Sequence, residues 1–542
     1  MNHPSNHRRE ARLPPTWLHT RLPLDPSEPP GPTPAPSERP RLGAYLDAIK
    51  AGNADVPLRT EEPDPLGLAE LHTVPAVLRL RLLDRLYATF RPTDTERLER
   101  FINAYAFLAR SGFSSLPFPS RGRRNLARSC AHALELMQAQ FRGYWRRHLM
   151  PPTRWWGRFL ATFRATGSAQ LFSVRCPTLE GRGGTTPLHP AARTLLQATA
   201  NPFAWEPELQ PYLETMLDLL SRDVLLFPAT SPSAYVEGGR GRFVFDAAGD
   251  HPPALPDGQD PRGLFPDDHT PKWWIIDASR ALARVSELRR GLALGASPER
   301  LHPGLADIPR STRQILLQRL ERILGRDPRR RRTRLAKPRR VSLAVGLEQA
   351  VRHSFAGRWT PNRDPASLQA NVRLQSEPRT HPPYPADPGT WEAIEWEETG
   401  LRLRGTRTDS LRLVGQPVLI MDSAAPSSEG PAAPMRAGLI RWQQGSPNGE
   451  RTEAGVELLP GSLHDGWFRI SWRMGTSLQE QPVLLLTGSK VPPSLLMPAG
   501  LFRAGTAFTI RIDDQDRLGE MIRLLEMGIH FEHVQVRLED AP

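Results

Sequence analysis

The stretch 326–347 reads RDPRRRRTRLAKPRRVSLAVGL, and the hydrophobic period changes across it. Ahead of it, apolar residues recur every three or four positions. Behind it they alternate, in SLAVGL (342–347), TGLRLRG (399–405), LRLVGQPVLI (411–420), AGLIRW (437–442) and AGVELL (454–459). A period near 3.6 gives a helix with one buried stripe, and a period of two gives a half-buried strand. The fold class expected is therefore multidomain α + β, with helices first and short antiparallel strands after. The patch 326–340 between them holds nine cations in fifteen residues. Like charge at that density repels itself, so the segment reads as an Arg-rich hinge awaiting an anion.

Working back toward the N-terminus, residues 43–325 read as a mainly α-helical domain, a bundle or a short solenoid. Leu78, Leu82, Leu86 and Phe90 make one stripe, and Leu98, Phe101, Ile102, Tyr105 and Leu108 the next. Leu126, Cys130, Leu134, Met137 and Phe141 mark a long helix over 123–149, ended by Pro151 and Pro152. A further helix carries Trp155, Trp156, Phe159 and Phe163, and two more span Ala191–Ala200 and Pro207–Leu220. RFVFD (242–246) and WWIID (273–277) predict a small strand pair. Helices then follow through Leu282, Val285, Leu288 and Leu292, and over 311–324. Residues 1–42 are a proline-rich tail with too few apolar groups to offset the entropy of ordering.

Working forward, the strands of 341–465 and the turn residues between them predict an antiparallel β-barrel. Residues 466–542 predict a small β-rich module through WFRISWR (467–473), PVLLL (482–486), AFTIRI (507–512) and HVQVRL (533–538). Within it, Leu518 to Leu525 reads equally as a short helix or a strand.

At 542 residues, and about 150 residues per domain, three or so folded units are expected. Net charge is +13, and lysine stands only at 50, 272, 337 and 490, so arginine supplies nearly all the positive charge. With 57 prolines, that bias fits a GC-rich bacterial coding sequence. No window offers the ~18 apolar residues of a membrane span. The opening MNHPSNHRREARLPP has no apolar run behind its charges, so no secretory signal is read and the cytoplasm is expected. Cys130 and Cys176 are too few for a disulfide framework.

The stretch 326–460 resembles a PilZ domain, the small bacterial β-barrel that senses cyclic di-GMP. The resemblance rests on the order of its parts. An arginine segment comes first, then a strand, then the Trp-led WEAIEWEETGLRLRG (391–405), then VGQPVLI (414–420), then the pair AGLIRW and AGVELL. LLQATANPFAW (195–205) looks like the N-terminal half of larger proteobacterial proteins that end in such a module. The family wraps its ligand with R-x-x-x-R. Here Arg326/Arg330 and Arg330/Arg334 have that spacing, with Arg329 in support. Planar guanidinium forks suit phosphates and guanine edges.

The family's second motif, D/N-x-S-x-x-G, falls on Glu395 to Gly400. Glu395 holds the first position, Gly400 the last, and Glu397 replaces the serine. A carboxylate there adds like-charge repulsion against a phosphate ligand. The resemblance implies a regulatory protein with cyclic di-GMP as its ligand, contacted by Arg326, Arg329, Arg330, Arg334, Glu395 and Gly400. A protein partner is expected through the helical domain.

No phosphate loop, H-E-x-x-H, nucleophile elbow or Cys/His metal cluster is present, so neither an enzyme nor a metal cofactor is expected. His530 and His533, three apart on a strand, point to opposite faces. Trp155-Trp156 reads as packing rather than as a base-stacking platform. Two alternatives stay open: sequence-blind nucleic-acid binding through the arginine run, and a ligand-independent interaction scaffold.

Overall fold

The computed structural model describes residues 76–90, 95–113, 120–181, 183–229, 240–253, 273–325, 339–355, 389–397, 399–406, 413–422, 435–470, 480–488, 491–512 and 515–539. The helical part opens with α1 (Ala76–Phe90), α2 (Thr95–Phe113), α3 (Ser120–Arg146) and α4 (Trp155–Ser168). A two-stranded ribbon, β1 (Cys176–Pro177) with β2 (Gly184–Thr185), leads to α5 (Leu188–Thr199) and α6 (Gln210–Leu220). α3 is the central helix, packed by α2, α4 and α5. Its stripe Leu126, Cys130, Leu134, Met137, Phe141 and Trp145 is buried throughout. Trp155 and Trp156 are buried against Phe141 and Phe159, so the tryptophan pair is core. Asp250 accepts the amides of Arg154 (2.9 Å) and Gly157 (2.5 Å), satisfying orphan donors at the start of α4. Burial pushes the Cys130 thiol up to about 11 and that of Cys176 to about 12, which leaves both inert at neutral pH.

Where two strands are expected, three form. β3 (Leu225–Pro228) joins β4 (Arg242–Asp246) and β5 (Trp273–Asp277) in the order β3-β5-β4. Helices α7 (Ser279–Ala293) and α8 (Arg310–Leu324) pack together after it.

The remainder folds as two closed six-stranded barrels. The first comprises β6 (Arg339–Val345), β7 (Gly389–Glu397), β8 (Gly400–Thr406), β9 (Pro417–Asp422), β10 (Arg436–Gly445) and β11 (Arg451–Leu458). The second comprises β12 (Ser462–Ile470), β13 (Glu480–Gly488), β14 (Val491–Pro498), β15 (Ala507–Ile512), β16 (Gln515–Met527) and β17 (Phe531–Leu538). In both, the strands run around the wall as first, second, third, sixth, fifth, fourth, every pair antiparallel. The C-terminal module is thus a complete barrel with the strand order of the first. It begins at Ser462, and the expected hinge already contains the start of β6 at Arg339. Residues 518–525 belong to strand β16, which decides between the two readings of that stretch.

Alternation explains the barrels and the seam between them. Val341, Leu343, Leu403, Val418, Ile420 and Val456 fill the first interior. Val483, Leu485, Leu495, Met497, Ile510 and Val534 fill the second. The residues between them face outward: Ala344, Leu419, Leu439, Leu484, Leu486 and Leu496 meet in one apolar seam. Helix α9 (Leu347–Phe355) adds Ala350 and Val351 to it. Runs such as PVLI and PVLLL are therefore apolar on both faces, as strands buried on both sides must be. Each fully buried leucine contributes about 1.5–3 kcal/mol, so the seam ties the barrels firmly. Cross-strand aromatics cover bare backbone: Trp442 lies over its partner Gly455 and Phe508 over Gly519.

The helical part docks on β10 of the first barrel. Gly445 donates to the His148 carbonyl (2.7 Å), and Met150 donates to that of Gly445 (3.0 Å). No helix among the described residues is long and apolar enough to cross a membrane.

Candidate functional site

Arg326, Arg329, Arg330 and Arg334 lie outside the described residues. The last two arginines of the run, Arg339 and Arg340, open β6 and pair with Ala393 and Glu392 of β7. The described end of the basic run therefore lies beside the strand that carries Glu395. Trp396, between Glu395 and Glu397, has the Arg339 guanidinium 5.9 Å and the Arg436 guanidinium 6.0 Å from its ring centre. A ring face attracts cations at this range.

Glu397 and Gly400 are register partners at the turn joining β7 to β8. A Cβ on Gly400 would stand 2.8 Å from the Val456 carbonyl oxygen, so only glycine fits. Glu395 accepts from Arg402 (3.0 Å). Arg402 also donates through Nε to Glu453 (3.1 Å), and Arg404 reaches the other Glu453 oxygen through Nε (3.2 Å) and Nη2 (3.0 Å). Burial pushes the Glu453 carboxyl up, but the hydrogen bonds and charges of Arg402 and Arg404 more than reverse this, so it titrates below the ordinary glutamate range.

This turn opens onto a cleft of about 500 Å³ between the first barrel and helix α8. Glu397, Gly400 and Arg402 line one side, and Arg441 and Glu457 of β10 and β11 the back. Arg319 and Arg322 enter from α8. Four guanidiniums thus converge on one cavity, although the sequence reading singled out none of them.

Most of these cations are already paired. Arg319, 9 % exposed, forms a two-pronged pair with Glu206, 2 % exposed, with Nη2 at 2.8 Å from Oε1. Arg441 donates through Nε to Glu457 (2.5 Å), and its fork meets both oxygens of Glu526 on β16 of the second barrel, Nη2 at 2.7 Å. Burial pulls Arg441 down, but Glu526 and Glu457 outweigh it and raise its pKa. Burial likewise pushes the Glu526 carboxyl up, and Arg441, Arg322 and Arg319 bring it below the usual range. Arg322 differs. Its contact to Glu526 is 3.9 Å, beyond hydrogen-bond range, and burial with Arg441 beside it lowers its pKa.

Chemically, the arrangement can recognise an anion. Forked donors at a cavity match phosphate oxygens. Among the described residues no group of three or more His, Cys, Asp or Glu side chains is placed to hold a metal ion. His533 is buried and bonds Ser494 Oγ (2.9 Å), a core contact. Searches against protein families, curated proteins and solved structures give no match to this chain.

Proposed function

We propose that this chain is a cytoplasmic bacterial regulatory protein of the PilZ kind that reads cyclic di-GMP, with the second half of its ligand motif degenerate. The observation that carries the reading is the placement of one turn. Glu395–Gly400 joins the second and third strands of a closed six-stranded barrel and opens onto a cleft lined by Arg319, Arg322, Arg402 and Arg441. Support also comes from Arg339, whose pairing with Ala393 and position 5.9 Å from the Trp396 ring centre bring the described end of the basic run to the motif strand. Guanidinium forks lining the cleft suit an anionic ligand, while Trp396 packs on the barrel interior.

Glu397 weakens such a site. A unit charge about 4 Å from a phosphate in wet surroundings costs about 1 kcal/mol. Calorimetric titration with cyclic di-GMP should give micromolar binding to the wild-type chain, and Glu397→Ser should tighten it about 5-fold. Silence in both proteins would overturn the sensor reading. It would favour the ligand-independent interaction scaffold, a reading favoured independently by the carboxylates that already engage Arg402 and Arg441. Nucleic-acid binding through the run 326–340 is the alternative that does not need the cleft.

A further inference from the structure

We infer that Glu457 and Glu526 are internal occupants of an anion subsite built by Arg441 and Arg322, and that a phosphate-bearing ligand enters the cleft by displacing them. The inference rests on the reading of this face as an anion-binding one, and adds how access to it is regulated. Arg441 presents its whole donor edge to carboxylates, Nε to Glu457 and the fork to both oxygens of Glu526. That two-point geometry is the one a guanidinium offers to phosphate. Both carboxylates come from outside the motif turn. Glu457 is half exposed at the end of β11, where it also lines the cleft. Glu526 belongs to the other barrel and sits at a register break in β16 between Leu524 and Glu526. Such bulges commonly re-aim a side chain.

Arg322 supplies the second cation of the subsite. It lines the cleft from α8, its side chain is 48 % exposed, and its contact to Glu526 is 3.9 Å long. Arg322 stands beside the clamp without a hydrogen bond to Glu526, so its donors are available to an incoming anion. Three parts of the fold meet here, α8, the first barrel and the second. Entry of an anion would move Arg441 from a carboxylate of the second barrel to the ligand, so occupancy of the cleft and the contact between barrels and helix are linked.

The test uses inorganic pyrophosphate as the probe, titrated calorimetrically into the full chain at low salt. Glu526→Gln and Glu457→Gln keep the shape and remove the charge. Wild type should bind weakly, and Glu526→Gln should bind at least 10-fold more tightly. Glu457→Gln should shift affinity the same way, and adding Arg441→Gln should abolish the gain. Glu457→Gln, at a half-exposed position, keeps the test readable if Glu526→Gln lowers the melting temperature. Unchanged pyrophosphate affinity in both single variants would overturn the inference, as would a gain that survives Arg441→Gln. Cyclic di-GMP silence alongside a pyrophosphate gain would sink the sensor reading and leave this one standing. Cyclic di-GMP binding without that gain would do the reverse.

Discussion

Arg319→Ala is expected to destabilise the protein by about 3–5 kcal/mol, the usual cost of stranding one member of a buried ion pair. Glu206 is 2 % exposed and its carboxylate is held by both prongs of the Arg319 fork. Without the guanidinium, that charge has neither water nor partner. Replacing both members with apolar residues of similar size, Arg319→Met with Glu206→Leu, should recover most of the loss, because desolvation then falls on neither. Urea unfolding followed by tryptophan fluorescence measures both, since Trp205 is fully buried immediately next to Glu206 in sequence. A loss under about 1 kcal/mol in the single variant would mean that Glu206 escapes to solvent.

The second large effect is expected at Gly415, in the turn that leads into β9. Its φ is +77°, where an L side chain costs about 1–2 kcal/mol. A Cβ there would also stand 2.0 Å from Glu206 Oε1. The barrel turn therefore rests directly on the buried pair of the helical part, and Gly415→Ala must push Glu206 off Arg319. The expected loss is about 3 kcal/mol or more, from the backbone cost and the broken pair together. In a Glu206→Ala background the same substitution should cost only the backbone part. A double-mutant cycle thus reads out the contact itself. Equal costs in the two backgrounds would show that Glu206 yields without loss.

The same glycine shows what the sequence could and could not convey. VGQPVLI marks a turn entering a strand, and that much follows from glycine, proline and alternation. That the turn is pressed against Glu206, 209 positions earlier, has no local signature. The first barrel was legible because Trp391, the Gly400 turn and AGLIRW each obey a period of two with clear punctuation. β16 was ambiguous for a physical reason: bulges between Met521 and Arg523 and between Leu524 and Glu526 break its alternation, so Leu518, Met521 and Leu525 fall at helical spacing. Helix α9 carries a signal, Leu347, Ala350, Val351 and Ser354 at helical intervals, but it is short and starts on the last residue of the alternating SLAVGL. The shared strand order of the two barrels is carried by hydrogen-bond topology and not by repeated residues. Nothing in the sequence marks the cleft arginines, because arginine is common along the whole chain. What sets Arg319, Arg322, Arg402 and Arg441 apart is which carboxylates stand beside them, and that is decided by tertiary packing.

Whether the turn at the edge of the arginine-lined cleft reads an anion is decided by hydrogen–deuterium exchange of the full chain with and without cyclic di-GMP. Ligand should slow exchange in peptides covering 395–402, 438–444 and 316–324, the three walls of the cleft. Protection confined to other segments, or no change at saturating ligand, would contradict an anion-reading turn.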